Sequence, residues 1–102
     1  MEEILVVHKN EIIFFDEDEN RHYRLNPTNL KKITFDHTTL KRFFGLKKEL
    51  IELIILDVSD EEIPAQLIVY EHLAPGFRRY LGSLRTFAEE NKIDIEVKRL
   101  DA

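Results

Sequence analysis

The chain has no cysteine and no tryptophan, a single methionine, and only three glycines and three prolines in 102 residues. Without cysteine there is no disulfide, no thiolate metal ligand and no cysteine nucleophile. The composition suits a reducing compartment, and the expected location is the cytoplasm. The glycines, Gly45, Gly76 and Gly82, form neither G-x-G nor G-K-S/T, which argues against a phosphate-cradling loop. Long apolar runs are also missing. The opening MEEILVVHKNE has two acids and one short apolar run, which fits neither a signal peptide nor a membrane-spanning helix.

What the chain does have is a balance of 43% hydrophobic and 34% charged residues, far from the disordered range and enough for a hydrophobic core. At this length one domain over 1–102 is expected. The net charge of −5 disfavours general nucleic-acid binding. Charge is nevertheless segregated: acids dominate 1–20 and 49–74, whereas Lys31, Lys32, Lys41, Arg42, Lys47 and Lys48 stand against one acid, Asp36, between 31 and 48.

Ile4-Leu5-Val6-Val7 and Ile12-Ile13-Phe14-Phe15 flank His8-Lys9-Asn10-Glu11 and predict a tight hairpin. Tyr23 and Leu25 alternate with polar residues in a third, half-exposed strand. After the turn residues Asn26-Pro27-Thr28-Asn29, Leu30, Ile33 and Phe35 mark a fourth, with imperfect alternation at Lys31-Lys32. Residues 38–57 are ambiguous. Leu40, Phe43, Phe44, Leu46, Leu50, Leu53 and Ile54 trace a helical face across Gly45, yet 49–57 also reads as a buried strand. The strand is favoured because Gln66-Leu67-Ile68-Val69-Tyr70 offers an antiparallel partner of similar length. Residues 40–44 fit a short strand or one helical turn. Phe77, Tyr80, Leu81, Leu84, Phe87 and Ala88 then form an amphipathic helical stripe with Asn91 as stop residue, and Ile93, Ile95 and Val97 alternate in a final strand.

NLKKITFDHTTLKRFFGLKKELIELIIL, then QLIVYE, then FRRYLGSLRTFAEENKIDIE, resembles the later half of small bacterial pleckstrin-homology-like (PH-like) domains. The resemblance implies an α+β, mainly β fold: a bent antiparallel sheet or partly open barrel of about seven strands, capped by one C-terminal amphipathic helix. Here an extra terminal strand follows, available to a sheet edge or another chain. Many eukaryotic members carry a tryptophan in the helix, which this chain lacks. Phosphoinositide-binding members place cations around the first hairpin, where this chain has Lys9 as its only fixed cation and Glu11 beside it.

Asp16-Glu17-Asp18-Glu19-Asn20 opens like a calcium loop, but Arg21 stands where glycine is needed and Pro27 where a bidentate glutamate is needed; it reads as a solvated hairpin tip. His8, His22, His37 and His72 are dispersed. Leu81-Gly82-Ser83-Leu84 lacks the strand-to-helix elbow of a serine nucleophile. No catalytic residue, metal site or cofactor is expected, and the reading is a non-enzymatic protein-interaction or self-assembly module. Its candidate surface is Arg78, Arg79, Gly82 and Arg85 on the outer helix face, with the final strand as a pairing edge. The alternative is an anionic ligand, lipid headgroup or nucleic acid, held by Lys31, Lys32, Lys41, Arg42, Lys47 and Lys48.

Overall fold

A computed structural model describes residues 4–98. Seven strands run in chain order: β1 (Leu5–Val7), β2 (Ile12–Asp16), β3 (Arg21–Leu25), β4 (Leu30–Arg42), β5 (Lys47–Val58), β6 (Gln66–Tyr70) and, after a 3₁₀ turn at Glu71–Leu73 and the helix α1 (Phe77–Asn91), β7 (Asp94–Val97). They form two sheets, one ordered β1-β2-β3 and one ordered β6-β5-β4-β7. The sheets do not close on each other. The fold is mainly β with one C-terminal helix, as the apolar patterns predicted, and it has the form of a partly open barrel, as the resemblance implied.

One apolar cluster joins both sheets and the helix: Leu5, Ile12 and Leu25 from the first sheet, Ile33, Ile54, Leu56 and Val69 from the second, and Phe77, Leu84 and Phe87 from α1. Alternation explains the choice on β3, where Tyr23 and Leu25 are buried while Arg21, His22 and Arg24 face water. On β4 it needs a correction. Leu30 pairs with Val58 but Lys32 pairs with Asp57, so Lys31 is an extra residue, a β-bulge. The bulge allows Leu30 and Ile33, three positions apart, both to point inward. The broken alternation at Lys31-Lys32 is its sequence trace.

Asn26-Pro27-Thr28-Asn29 forms the expected turn, and Asn29 holds it in place. The Asn26 amide donates to Asn29 Oδ1 (2.7 Å), Asn29 Nδ2 donates to the Arg24 carbonyl (3.3 Å), and the Ser59 amide donates to the Asn29 carbonyl (2.7 Å). The turn is thereby tied to the loop after β5. Gly76 caps the start of helix α1, and its φ of 78° lies in the left-handed region that favours glycine. The helix ends as expected at Asn91, but Lys92 takes the left-handed conformation and Asn91 instead donates from Nδ2 to the carbonyls of Lys9 (2.8 Å) and Phe87 (2.9 Å). Near the other end of the helix, Tyr80 Oη accepts from the Ile4 amide (3.1 Å).

β7 pairs in parallel with β4, Ile33 opposite Ile95 and Phe35 opposite Val97. The final strand therefore completes a sheet within its own chain, and its inner edge is occupied. Among the described residues, no further strand covers the outer edge of β7 or of β6.

Candidate functional site

The ambiguous segment 38–57 resolves into the longest hairpin of the molecule. β4 and β5 stay paired from Leu30 and Val58 out to Arg42 and Lys47, which leaves residues 43–46 as the connecting loop. At roughly 3.3 Å per residue, β4 is about 40 Å long, comparable with the 43 Å longest dimension of the chain. Its root lies in the core. Its outer part, residues 38–50, is exposed apart from half-covered Leu40 and forms an arm. The helical alternative for residues 40–44 is thus replaced by strand up to Arg42 followed by a tight turn.

The end of this arm is unusual in three ways. Phe43, Phe44 and Leu46 are 67%, 107% and 90% exposed, so three large apolar side chains meet water at one point. The backbone of both phenylalanines is left-handed, with φ of 54° and 56°, a region that costs a residue with a Cβ about 1–2 kcal/mol. Gly45 follows at 87°, and amide-to-carbonyl bonds from Gly45 to Arg42 (3.2 Å) and from Leu46 to Phe43 (3.1 Å) hold the turn. Finally, Lys41 faces Lys48 and Arg42 faces Lys47. Like charges directly opposite on neighbouring strands are destabilising. Among the described residues, only Arg42 of these four has a compensating ion pair, with Glu49 at 3.0 Å.

The six cations of the basic segment therefore divide. Lys41, Arg42, Lys47 and Lys48 gather around the apolar tip. Lys31 and Lys32 lie at the root, with Lys32 and Lys41 about 30 Å apart along the strand. Lys31 Nζ donates to the Thr28 carbonyl (2.8 Å). Lys32 pairs with Glu96 on β7 (2.9 Å), which raises the lysine above its ordinary pKa and lowers the glutamate below its own, chiefly through their shared hydrogen bond and then through their opposite charge.

The helix arginines are engaged within the chain. Arg78 reaches Glu52 (2.6 Å) and Glu71 (3.2 Å), fastening α1 to β5 and to the 3₁₀ turn, and Glu71 in turn accepts from the Glu52 amide (3.0 Å). Arg79 folds back over Gly76, so close that a Cβ there would meet its guanidinium at 2.7 Å. Arg85 stacks over the Phe35 ring at 5.1 Å from its centre, a cation–π contact. Gly82 is exposed, and a Cβ added to it would meet nothing within 4 Å.

A second surface lies where the sheets fail to close. Between β2 and the outer edge of β6 runs a groove of about 610 Å³. It is lined by Phe14, Phe15, Leu67, Ile68 and Tyr70, by the exposed Leu73 and Pro75, and by the acidic residues Asp16, Glu17 and Asp18. The acidic run read as a solvated hairpin tip is thus one bank of this groove. None of residues 38–50 lines it.

Periodicity left Phe43, Phe44 and Leu46 between a helical face and a strand, and the structure puts them at the tip of the hairpin. The signal that finds them is Phe-Phe-Gly set between two cation pairs, Lys41-Arg42 and Lys47-Lys48, a glycine-containing hairpin loop between two strands. Comparison with protein-family models, with curated proteins and with solved structures finds no match in any of the three. Any functional reading rests on the geometry.

Proposed function

We propose that this chain is a non-enzymatic interaction module of bacterial PH-like type, working through the β4–β5 arm. One observation carries the reading: the arm ends in exposed Phe43, Phe44 and Leu46 on a left-handed turn ringed by Lys41, Arg42, Lys47 and Lys48. Nothing in the fold of the arm profits from that arrangement. Left-handed phenylalanines and facing like charges cost stability in the free chain and exposed aromatics gain nothing there, whereas docking against an apolar surface with acidic edges buries the aromatics and offsets the charges. The strand count and the C-terminal helix support the PH-like type. The engaged helix arginines favour the arm over the outer face of α1 as the contact.

A second reading is favoured by the same four cations: docking on an anionic surface, with the aromatics entering the headgroup region of a membrane. Sedimentation of the full chain across a wide concentration range, alone and with vesicles of neutral or part-anionic lipid, separates the two. The protein reading expects concentration-dependent association at physiological salt that is lost in Phe43→Ser/Phe44→Ser. Binding confined to anionic vesicles and weakened by salt transfers the function to the second reading. Unchanged behaviour of the arm variant in every condition overturns both.

A further inference from the structure

The arm and the groove between β2 and β6 answer each other, and we infer that they are two halves of one contact: the arm tip of one copy of this chain docks in the groove of a second copy. This inference rests on the proposed role of the arm and names its partner. The tip carries large apolar side chains inside a ring of four cations. The groove is lined by apolar residues together with the acids Asp16 and Asp18, and has a volume within the range that accommodates a few large side chains. Charge sign and apolar surface are thus complementary at both levels, with the phenylalanines meeting Phe15, Ile68 and Tyr70 while Lys41, Arg42, Lys47 and Lys48 meet the acids. The outer edge of β6 adds backbone donors and acceptors that no described strand uses, so an incoming hairpin tip finds hydrogen bonds as well as apolar area.

Among the described residues, none of the arm lines the groove of its own chain, so the groove that would take the arm is that of a second copy. The contact is between two different patches, so each copy offers one arm and one groove. A net charge of −5 with the cations concentrated at the tip favours this pairing, since the arm of one copy then approaches the acidic side of the next.

The test uses two variants of the full chain and their mixture. Phe43→Ser/Phe44→Ser removes the apolar tip from residues outside the core and leaves the groove intact. Asp18→Lys/Leu73→Lys reverses a rim charge and blocks the exposed end of the groove, leaving the arm intact. Each variant alone is expected to self-associate at least about tenfold more weakly than the parent, the loss typical of interface anchors, with melting temperature near that of the parent as a check on folding. Mixed, the two should form a 1:1 heterodimer, because one intact arm and one intact groove remain. Loss of association in the arm variant but not in the groove variant overturns this inference and leaves the arm reading standing. A parent that stays monomeric at all concentrations overturns it too, whereas vesicle binding through the arm would then still support an arm that docks elsewhere. Two variants that both associate like the parent overturn the inference and the arm reading together.

Discussion

The two ends of the β4–β5 hairpin share one register and one connectivity but live in different solvents. At the root, Ile33 faces Leu56 and Phe35 faces Ile54, all four buried in the common core. At the tip, Lys41 faces Lys48 and Arg42 faces Lys47 beside exposed phenylalanines. The root is held by burial, at roughly 25 cal/mol for each Å² of apolar surface removed from water. The tip has only its ladder of backbone hydrogen bonds, the Arg42–Glu49 pair and one tight turn. A hairpin of this kind is stable because its root is anchored, and the residues at the tip take no part in that anchoring.

The sharpest way to break the comparison is to exchange the consequences of the two ends. Ile54→Ala opens a cavity at a fully buried position and should lower unfolding stability by about 2–5 kcal/mol in chemical denaturation. Phe44→Ser, a loss of similar apolar size at the tip, should stay within about 0.5 kcal/mol of the parent. Equal losses would mean that the tip packs inside the folded chain. Next in size, Asn29→Ala removes the hydrogen bonds that fix the turn at the root and should cost about 1–3 kcal/mol by the same measurement. Lys41→Glu acts in the opposite direction: it places an acid across from Lys48 and should raise stability by about 0.2–1 kcal/mol while weakening association. A variant that is both more stable and less able to associate is the mark of a tip built for contact.

The smallest effect concerns the edge strand at the root. Glu96 is held below its ordinary pKa by Lys32, so its contribution is present above the unfolded value and is lost as pH falls through the lowered folded value. Lys32, raised by the same pair, contributes below its unfolded value and loses that contribution as pH rises through the raised one. The pair thus fastens β7 across the neutral range. Glu96→Gln should flatten the acid side of the stability profile and speed amide exchange at Ile95 and Val97 at neutral pH, without altering association through the tip.

Much of this fold was legible in the chain, and the exceptions have physical causes. The first hairpin is written in two short apolar runs around a polar turn, and β3 and α1 in side chains whose period matches a face that is buried. β4 was legible only in part, because a bulge changes the period by one residue and Lys31 looks like an error in alternation until the Leu30 to Val58 register is known. The tip stayed ambiguous because Leu40, Phe43, Phe44 and Leu46 have helical spacing, and apolar spacing does not say whether anything packs against it. The basic segment could be counted but not located: an extended strand separates Lys32 from Lys41, where a helix would have kept them close. The groove had no linear signature at all, being formed by β2 and β6, which are distant in sequence and meet only where two sheets stop short of each other.

The Tyr80 bond to the Ile4 amide and the Asn91 bond to the Lys9 carbonyl span 76 and 82 positions of the chain. The hairpins, by contrast, close between neighbours. During synthesis the β1–β2, β2–β3, β4–β5 and β5–β6 pairings can therefore form as their strands emerge, while the inner side of the first sheet waits for α1. β4 likewise waits for β7. Until α1 and β7 are made, the nascent molecule has its arm but lacks its lid, and these two elements are what turn a set of hairpins into one packed fold.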